Sequence, residues 1–303
     1  MSKTTVAILS SLLLVAACGN DNAKNDKASA DKAGADKAGA AAADKASAGE
    51  AQPNSGSKGP GSWVRITKND GFKELIGGAI AGGTLYHAVK DGTLYATDLA
   101  SGEKKTISRK PDFGAVRWMF ANGDALYSLD RDGTLWSIDA KTAARKAVGE
   151  KRGFSDTIAA ASAGDNMFTV EKDGKLYRTP LATGSWKQIG KADFADTRLM
   201  FGGANGKLVS VEKDGSAFNL DTAKGDWFNR GDNGKWKHVR AAAWVGDKLY
   251  RVTSDGVLAT VDEKGAVTPL GQPDFAHVVW MGSDGTSLIT LETDGSLYRV
   301  AVE

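Results

Sequence analysis

The chain is expected to fold as an all-β, six-bladed β-propeller of four-stranded antiparallel blades, because one turn signal, one strand pattern and one match between its ends recur at a fixed spacing. Asp-Gly pairs end at Gly92, Gly133, Gly174, Gly215, Gly256 and Gly295, giving spacings of 41, 41, 41, 41 and 39 residues. Asp-Gly between alternating apolar residues signals a two-residue type I′ hairpin, since that turn needs positive φ at both central positions. The flanks alternate as a hairpin requires: Ala125-Leu126-Tyr127-Ser128-Leu129 precedes one turn, and Thr134-Leu135-Trp136-Ser137-Ile138 follows it.

Upstream of each hairpin lies a more continuously apolar run, as in Val116 to Ala121, introduced by an aromatic: Phe72, Phe113, Phe154, Phe194, Trp236 or Phe275. This is the pattern of a buried inner strand. Downstream comes a short fourth strand, as in Ser185-Trp186-Lys187-Gln188-Ile189-Gly190. Four strands of about six residues with short connections consume ~40 residues, which is the observed period. The last repeat stops after its third strand, whereas the first is preceded by a spare one. Gly61-Ser62-Trp63-Val64-Arg65-Ile66 matches Gly184-Ser185-Trp186-Lys187-Gln188-Ile189, so the N-terminal strand is expected to complete the last blade and close the ring.

All eight Trp, ten Phe and six Tyr fall within residues 63–303, which sets the start of the folded domain. Residues 19–62 contain no Val, Ile, Leu, Met, Phe, Trp or Tyr, and Asp-Lys-Ala recurs there at Asp26, Asp31, Asp36 and Asp44. A segment without an apolar face has nothing to pack, so residues 18–62 are expected to be a disordered tether. Treated as a flexible coil it spans roughly 35–40 Å.

Residues 1–17 carry Lys3 and then a 12-residue apolar run from Val6 to Ala17, the length of a signal-peptide core and too short to cross a bilayer. Val15-Ala16-Ala17-Cys18-Gly19 resembles a bacterial lipobox. The resemblance implies cleavage before Cys18 and acyl chains on that residue, which together give stable membrane attachment. Gly19 in place of an aspartate implies, by the enterobacterial sorting pattern, a lipid anchor in the outer membrane of the cell envelope. Cys18 is the only cysteine, so no intramolecular disulfide supports the fold.

A formal net charge of +2 with both signs interspersed provides no electrostatic footprint for nucleic acid. The sequence lacks a nucleophile elbow, a phosphate-binding glycine loop, a paired-cysteine metal motif and an EF-hand loop. One constellation with chemical potential appears two positions beyond each inner-strand aromatic: Glu74, Ala115, Asp156, Asp196, His238 and His277. Six-fold placement would gather these near one mouth of the channel, with Arg117, Arg198 and Arg240 below. Imidazole and carboxylate together suit a divalent ion or an acid/base pair, and the set resembles the channel mouth of some six-bladed lactonases and hydrolases. The competing reading is a solvated rim of mutually neutralising charges. No other cofactor is implied. The third histidine, His87, is expected to be structural.

Trp118, Trp136, Trp244 and Trp280 are expected in the core, whereas Trp63, Trp186 and Trp227 fall in outer strands where they can stack on a glycan or a protein partner. Gly92-Thr93-Leu94-Tyr95 and its counterparts, together with Gly184-Ser185-Trp186-Lys187-Gln188-Ile189, resemble the repeats of the tectonin and tachylectin group of β-propeller lectins across residues 61–303. That resemblance implies a non-catalytic, lectin-like module. A protein-interaction scaffold in envelope assembly is the alternative, and a metal-dependent hydrolase is a third. For the anchor, Cys18→Ser is expected to move the protein from the outer-membrane to the soluble fraction; recovery of acylated protein with the inner membrane would contradict the sorting expectation.

Overall fold

The computed structural model describes residues 59–68, 72–109, 111–203, 206–231 and 234–303. The expected signal peptide, the lipid on Cys18 and the tether up to residue 58 lie outside the described residues. Among those described, no helix is long and apolar enough to cross a membrane.

Six four-stranded antiparallel sheets form a ring. Blade 1 runs through Leu75–Ala81, Thr84–Val89, Leu94–Asp98 and Lys104–Ser108; blade 2 through Val116–Asn122, Ala125–Asp130, Leu135–Ile138 and Arg145–Ala147; blade 3 through Thr157–Ala163, Asn166–Glu171, Leu176–Pro180 and Lys187–Ile189; blade 4 through Thr197–Gly202, Leu208–Glu212, Ala217–Leu220 and Trp227–Asn229; and blade 5 through Val239–Val245, Lys248–Thr253, Leu258–Val261 and Val267–Pro269. Blade 6 takes three strands from the C-terminal end and its outer strand, Trp63–Lys68, from the N-terminal end. Trp63 pairs with Val300 and Lys68 with Ser296, and Gly61 N–H donates to the Ala301 carbonyl at 2.8 Å. The N-terminal strand closes the ring.

The core is distributed between blades. One cluster joins Ile76, Ala88 and Leu94 of blade 1 to Phe113, Met119 and Leu126 of blade 2; another joins Phe168 and Val170 of blade 3 to Phe194, Met200 and Leu208 of blade 4. Inner strands crowd around the axis, which explains their Ala and Gly content. A Cβ on Gly202 would stand 1.9 Å from the Ser162 carbonyl oxygen of blade 3, and one on Gly78 would stand 3.2 Å from the Trp280 ring. Trp118, Trp244 and Trp280 are buried as expected, whereas Trp136 is only half-buried.

The hairpins differ from expectation. Gly133 N–H donates to the Asp130 carbonyl and Asp130 N–H to the Thr134 carbonyl, leaving a three-residue loop, Arg131-Asp132-Gly133. Only the glycine has positive φ (83° at Gly133), while the aspartates do not. This is a type I turn followed by a glycine bulge, and the aspartate has a different task from setting φ. Asp132 Oδ1 accepts the Thr134 N–H at 2.9 Å, and the same bond recurs from Thr93, Lys175, Ser216 and Ser296.

Every inner strand also carries a bulge at its second residue, marked by register shifts such as Val116/Trp118 and Thr197/Leu199. The extra residues are Ile76, Arg117, Ile158, Arg198, Arg240 and Val279. Two of these arginines stitch neighbouring blades together. Arg117 donates to the Thr157 carbonyl at 2.6 Å, and Arg198 to those of Trp236 and Val239 at 3.0 and 3.3 Å.

Among the described residues, four of the hairpin tips are hydrogen-bonded to the loop that starts the next blade. The carbonyls of Gly133, Gly174, Gly215 and Gly256 accept the N–H of Phe154, Phe194, Trp236 and Phe275 at 3.0, 3.0, 3.1 and 3.1 Å. A Cβ on Gly133 would lie 2.1 Å from the Ser155 nitrogen and 2.4 Å from the Phe154 carbonyl carbon, both backbone atoms that cannot step aside. Gly133→Ala combines this clash with an unfavourable φ and is expected to destabilise the ring by about 2 kcal/mol or more, measured by urea unfolding.

Candidate functional site: clefts on one face of the ring

Glu74, Asp156, Asp196, His238 and His277 all lie exposed on one face of the ring, each just before an inner strand. Their carbonyls accept an N–H from the hairpin loop of their own blade, from Lys90, Lys172, Lys213, Ser254 and Thr293, which fixes them on the hairpin side. Two of the side chains form ion pairs within their own blade. Asp156 pairs with Lys172 at 2.8 Å and Asp196 with Lys213 at 2.9 Å. Asp255 is held below its usual range by the Thr253 hydroxyl, with a smaller contribution from His238. Burial pushes the Glu292 carboxyl up and Asp294 adds to this, while His277 opposes it. Among the described residues, no group of three or more His, Cys, Asp or Glu side chains stands close enough to hold a metal ion. His87 is fully buried with its ring 4.4 Å from Phe72, and burial lowers its pKa to about 3.

The structure instead joins members of the rim set to members of the tryptophan set. A cleft of about 290 Å³ on blade 3 is lined by Phe154, Asp156, Glu171, Lys172, Tyr177 and Trp186. A cleft of about 400 Å³ on blade 4 has the equivalent lining: Phe194, Asp196, Glu212, Lys213, Phe218 and Trp227. Trp186 and Trp227 are 49% and 47% exposed, so both present indole surface to solvent. Each stands edge-on to the aromatic of the third strand, Trp186 at 5.3 Å from Tyr177 and Trp227 at 4.9 Å from Phe218. Trp63 meets Tyr298 in the same way at 4.9 Å in blade 6. The indole N–H groups of Trp227 and Trp63 are tied to Asp193 and Asp274 at 3.1 and 3.3 Å. Blade 3 has Gly153 where those aspartates stand.

Sequence reasoning missed the carboxylates on the clefts' inner side. Glu171 accepts the Thr157 hydroxyl at 2.7 Å and Glu212 the Thr197 hydroxyl at 3.2 Å. Burial pushes both carboxyls above the usual range, outweighing those hydrogen bonds. The signal was present: the position three before the turn glycine is Val89, Asp130, Glu171, Glu212, Thr253 and Glu292, an acid in four repeats at a site the alternation marks as inward. Phe228, 58% exposed beside Trp227, was also overlooked. A third cleft, of about 850 Å³, lies where the outer strand of blade 1 meets blade 2, beside Arg109, Asp112, Trp136 and Arg145.

The fold and these clefts define a propeller with repeat-related recesses on its hairpin face. No protein-family model and no curated protein sequence matches the chain. Solved structures do resemble it. A protein of unknown function from Bacteroides thetaiotaomicron superposes with a TM-score of 0.55 at 16% identity, over 79% of this chain and 74% of its own. Virginiamycin B lyase from Staphylococcus aureus gives 0.53 at 10% identity, over 80% of this chain and 99% of the lyase. YCF48 bound to D1 peptide gives 0.51 at 13% identity, over 76% and 78% of the two chains. At such identities the likeness is one of fold.

A carboxyl whose pKa is raised on folding is favoured in its protonated form by the folded state, so stability falls as pH rises from the unfolded value through the folded one. Glu171→Gln combined with Glu212→Gln is therefore expected to raise the melting temperature at neutral pH. The gain should shrink as pH falls from the raised folded value toward about 4.3, the ordinary glutamate value, and be absent below it, which melting curves from acid to neutral pH will show.

Proposed function

We propose that the propeller is a non-catalytic binding platform, held at the cell envelope by the acyl chains on Cys18, that captures a protein partner through the clefts of blades 3 and 4. The observation that carries this reading is the repetition of one recess on adjacent blades, each combining an exposed tryptophan, a second aromatic, a half-buried glutamate and a surface Lys–Asp pair. Exposed aromatics beside fixed polar groups are the make-up of protein interaction surfaces. The YCF48 structure, which holds a D1 peptide, illustrates that the fold accommodates peptide recognition.

One observation favours a glycan instead. Trp186 exposes its ring beside Asp156 and Glu171, an arrangement suited to stacking on a sugar and accepting its hydroxyls. The hydrolase reading has less behind it, because His238 and His277 line none of the three clefts and sit in separate blades.

Selection of displayed peptides on the purified full chain, beside a glycan array, separates these readings. Peptide ligands are expected, with affinity falling at least tenfold in Trp186→Ala and Trp227→Ala, as for truncated interface aromatics. Saturable glycan binding with no peptide enrichment would replace the protein reading with the lectin-like one.

A further inference from the structure

We infer that the clefts of blades 3 and 4 are receptors for guanidinium groups, each taking the side chain of an arginine carried by the partner protein. This rests on the platform reading above and specifies its chemistry.

The warrant is what the protein itself does with the same space in other blades. In each repeat, a residue of the second strand lies directly across from one of the third, so the two share a face: His87 with Tyr95, Ser128 with Trp136, Thr169 with Tyr177, Ser210 with Phe218, Arg251 with Ala259 and Thr290 with Tyr298. The aromatic that precedes the inner strand covers this face, leaving a slot. In blade 2 the slot is filled by Arg145, whose guanidinium lies 5.1 Å from the Phe113 ring and 4.6 Å from the Trp136 ring. It donates to Asp130 at 2.7 Å and to the Ser128 hydroxyl at 3.0 Å. In blade 5 Arg251 lies 5.0 Å from the Trp236 ring and donates to the Lys235 carbonyl at 2.8 Å. In blade 1 the planar ring of His87 lies between Phe72 and Tyr95, at 4.4 and 5.2 Å.

Blades 3 and 4 keep every receiving group of blade 2. Phe154 and Tyr177, or Phe194 and Phe218, replace Phe113 and Trp136; Glu171 or Glu212 replaces Asp130; Thr169 or Ser210 replaces Ser128. Here the slot opens to solvent as a cleft, and the lysine at its rim, Lys172 or Lys213, is paired with Asp156 or Asp196. Thr169 and Ser210 are fully buried beneath the clefts and do not line them, whereas Ser128 Oγ accepts from Arg145. A half-buried carboxylate beside aromatic faces matches a flat, weakly hydrated cation with several donors. A lysine ammonium, strongly hydrated and without a flat face, fits them less well.

The test titrates the 15N-labelled full chain with N-acetyl-arginine amide and N-acetyl-lysine amide, following the indole N–H signals of Trp186 and Trp227, assigned with Trp186→Phe and Trp227→Phe. The arginine compound is expected to shift both signals saturably, and the lysine compound to bind at least tenfold more weakly. Glu171→Gln should weaken the response of Trp186 at least tenfold while leaving that of Trp227 intact, and Glu212→Gln the reverse, so each variant carries its own folding control. Equal responses to the two compounds, or responses unchanged in both glutamine variants, overturn the guanidinium assignment. If displayed peptides still bind through Trp186 and Trp227 in that case, the platform reading stands without it; if no peptide binds either, both fall.

Discussion

Backbone meets backbone where the hairpin tips at Gly133, Gly174, Gly215 and Gly256 touch the loop that opens the next blade, and the rest of the ring is arranged around that contact. The glycine carbonyl and the N–H of the following aromatic form a hydrogen bond, and no side chain fits between them. Phe154, Phe194, Trp236 and Phe275 are thereby fixed over their own blades and nearly fully buried, as are Phe72 and Phe113. A two-residue turn would leave the tip one residue shorter; the glycine bulge lengthens the loop and the aspartate rigidifies it through its bond to the N–H two residues on.

The same contact creates the functional face. Once the aromatic is fixed, a slot remains between it and the third strand, and every blade must fill that slot or leave it wet. Blades 1, 2 and 5 fill it with His87, Arg145 and Arg251; blades 3 and 4 leave it open. The filling residues come from different strands, Arg145 from the outer one and His87 and Arg251 from the second. The slot, rather than any one sequence position, is what the repeats hold in common.

This difference explains how far the sequence could be read. The propeller was legible because the hairpin glycine, its aspartate and the inner-strand aromatic recur at a spacing enforced by the contacts between blades. Closure was legible because Trp63 and Trp186 occupy equivalent positions. The turn type was not, since Asp-Gly serves both a two-residue turn and a three-residue loop with a bulge. Glu74, Asp156, Asp196, His238 and His277 share a repeat position, but equivalent positions on a ring are related by rotation and need not be neighbours. The useful neighbours lie within a blade, Asp156 with Trp186 and Asp196 with Trp227, and that adjacency depends on how the sheet is folded over on itself.

Ring closure by the N-terminal strand also has a consequence for assembly. Trp63 finds its partner at Val300, so the first strand of the domain to be synthesised pairs with the last. Until then its hydrogen-bonding edge has no partner, while the intervening blades can form from local hairpins. The final step is a loop closure over almost the whole domain, a high-contact-order event that is slow and exposes strand edges to other chains in the meantime. Crowded nascent chains can then donate this strand to one another, making exchanged dimers the characteristic misassembly of this topology.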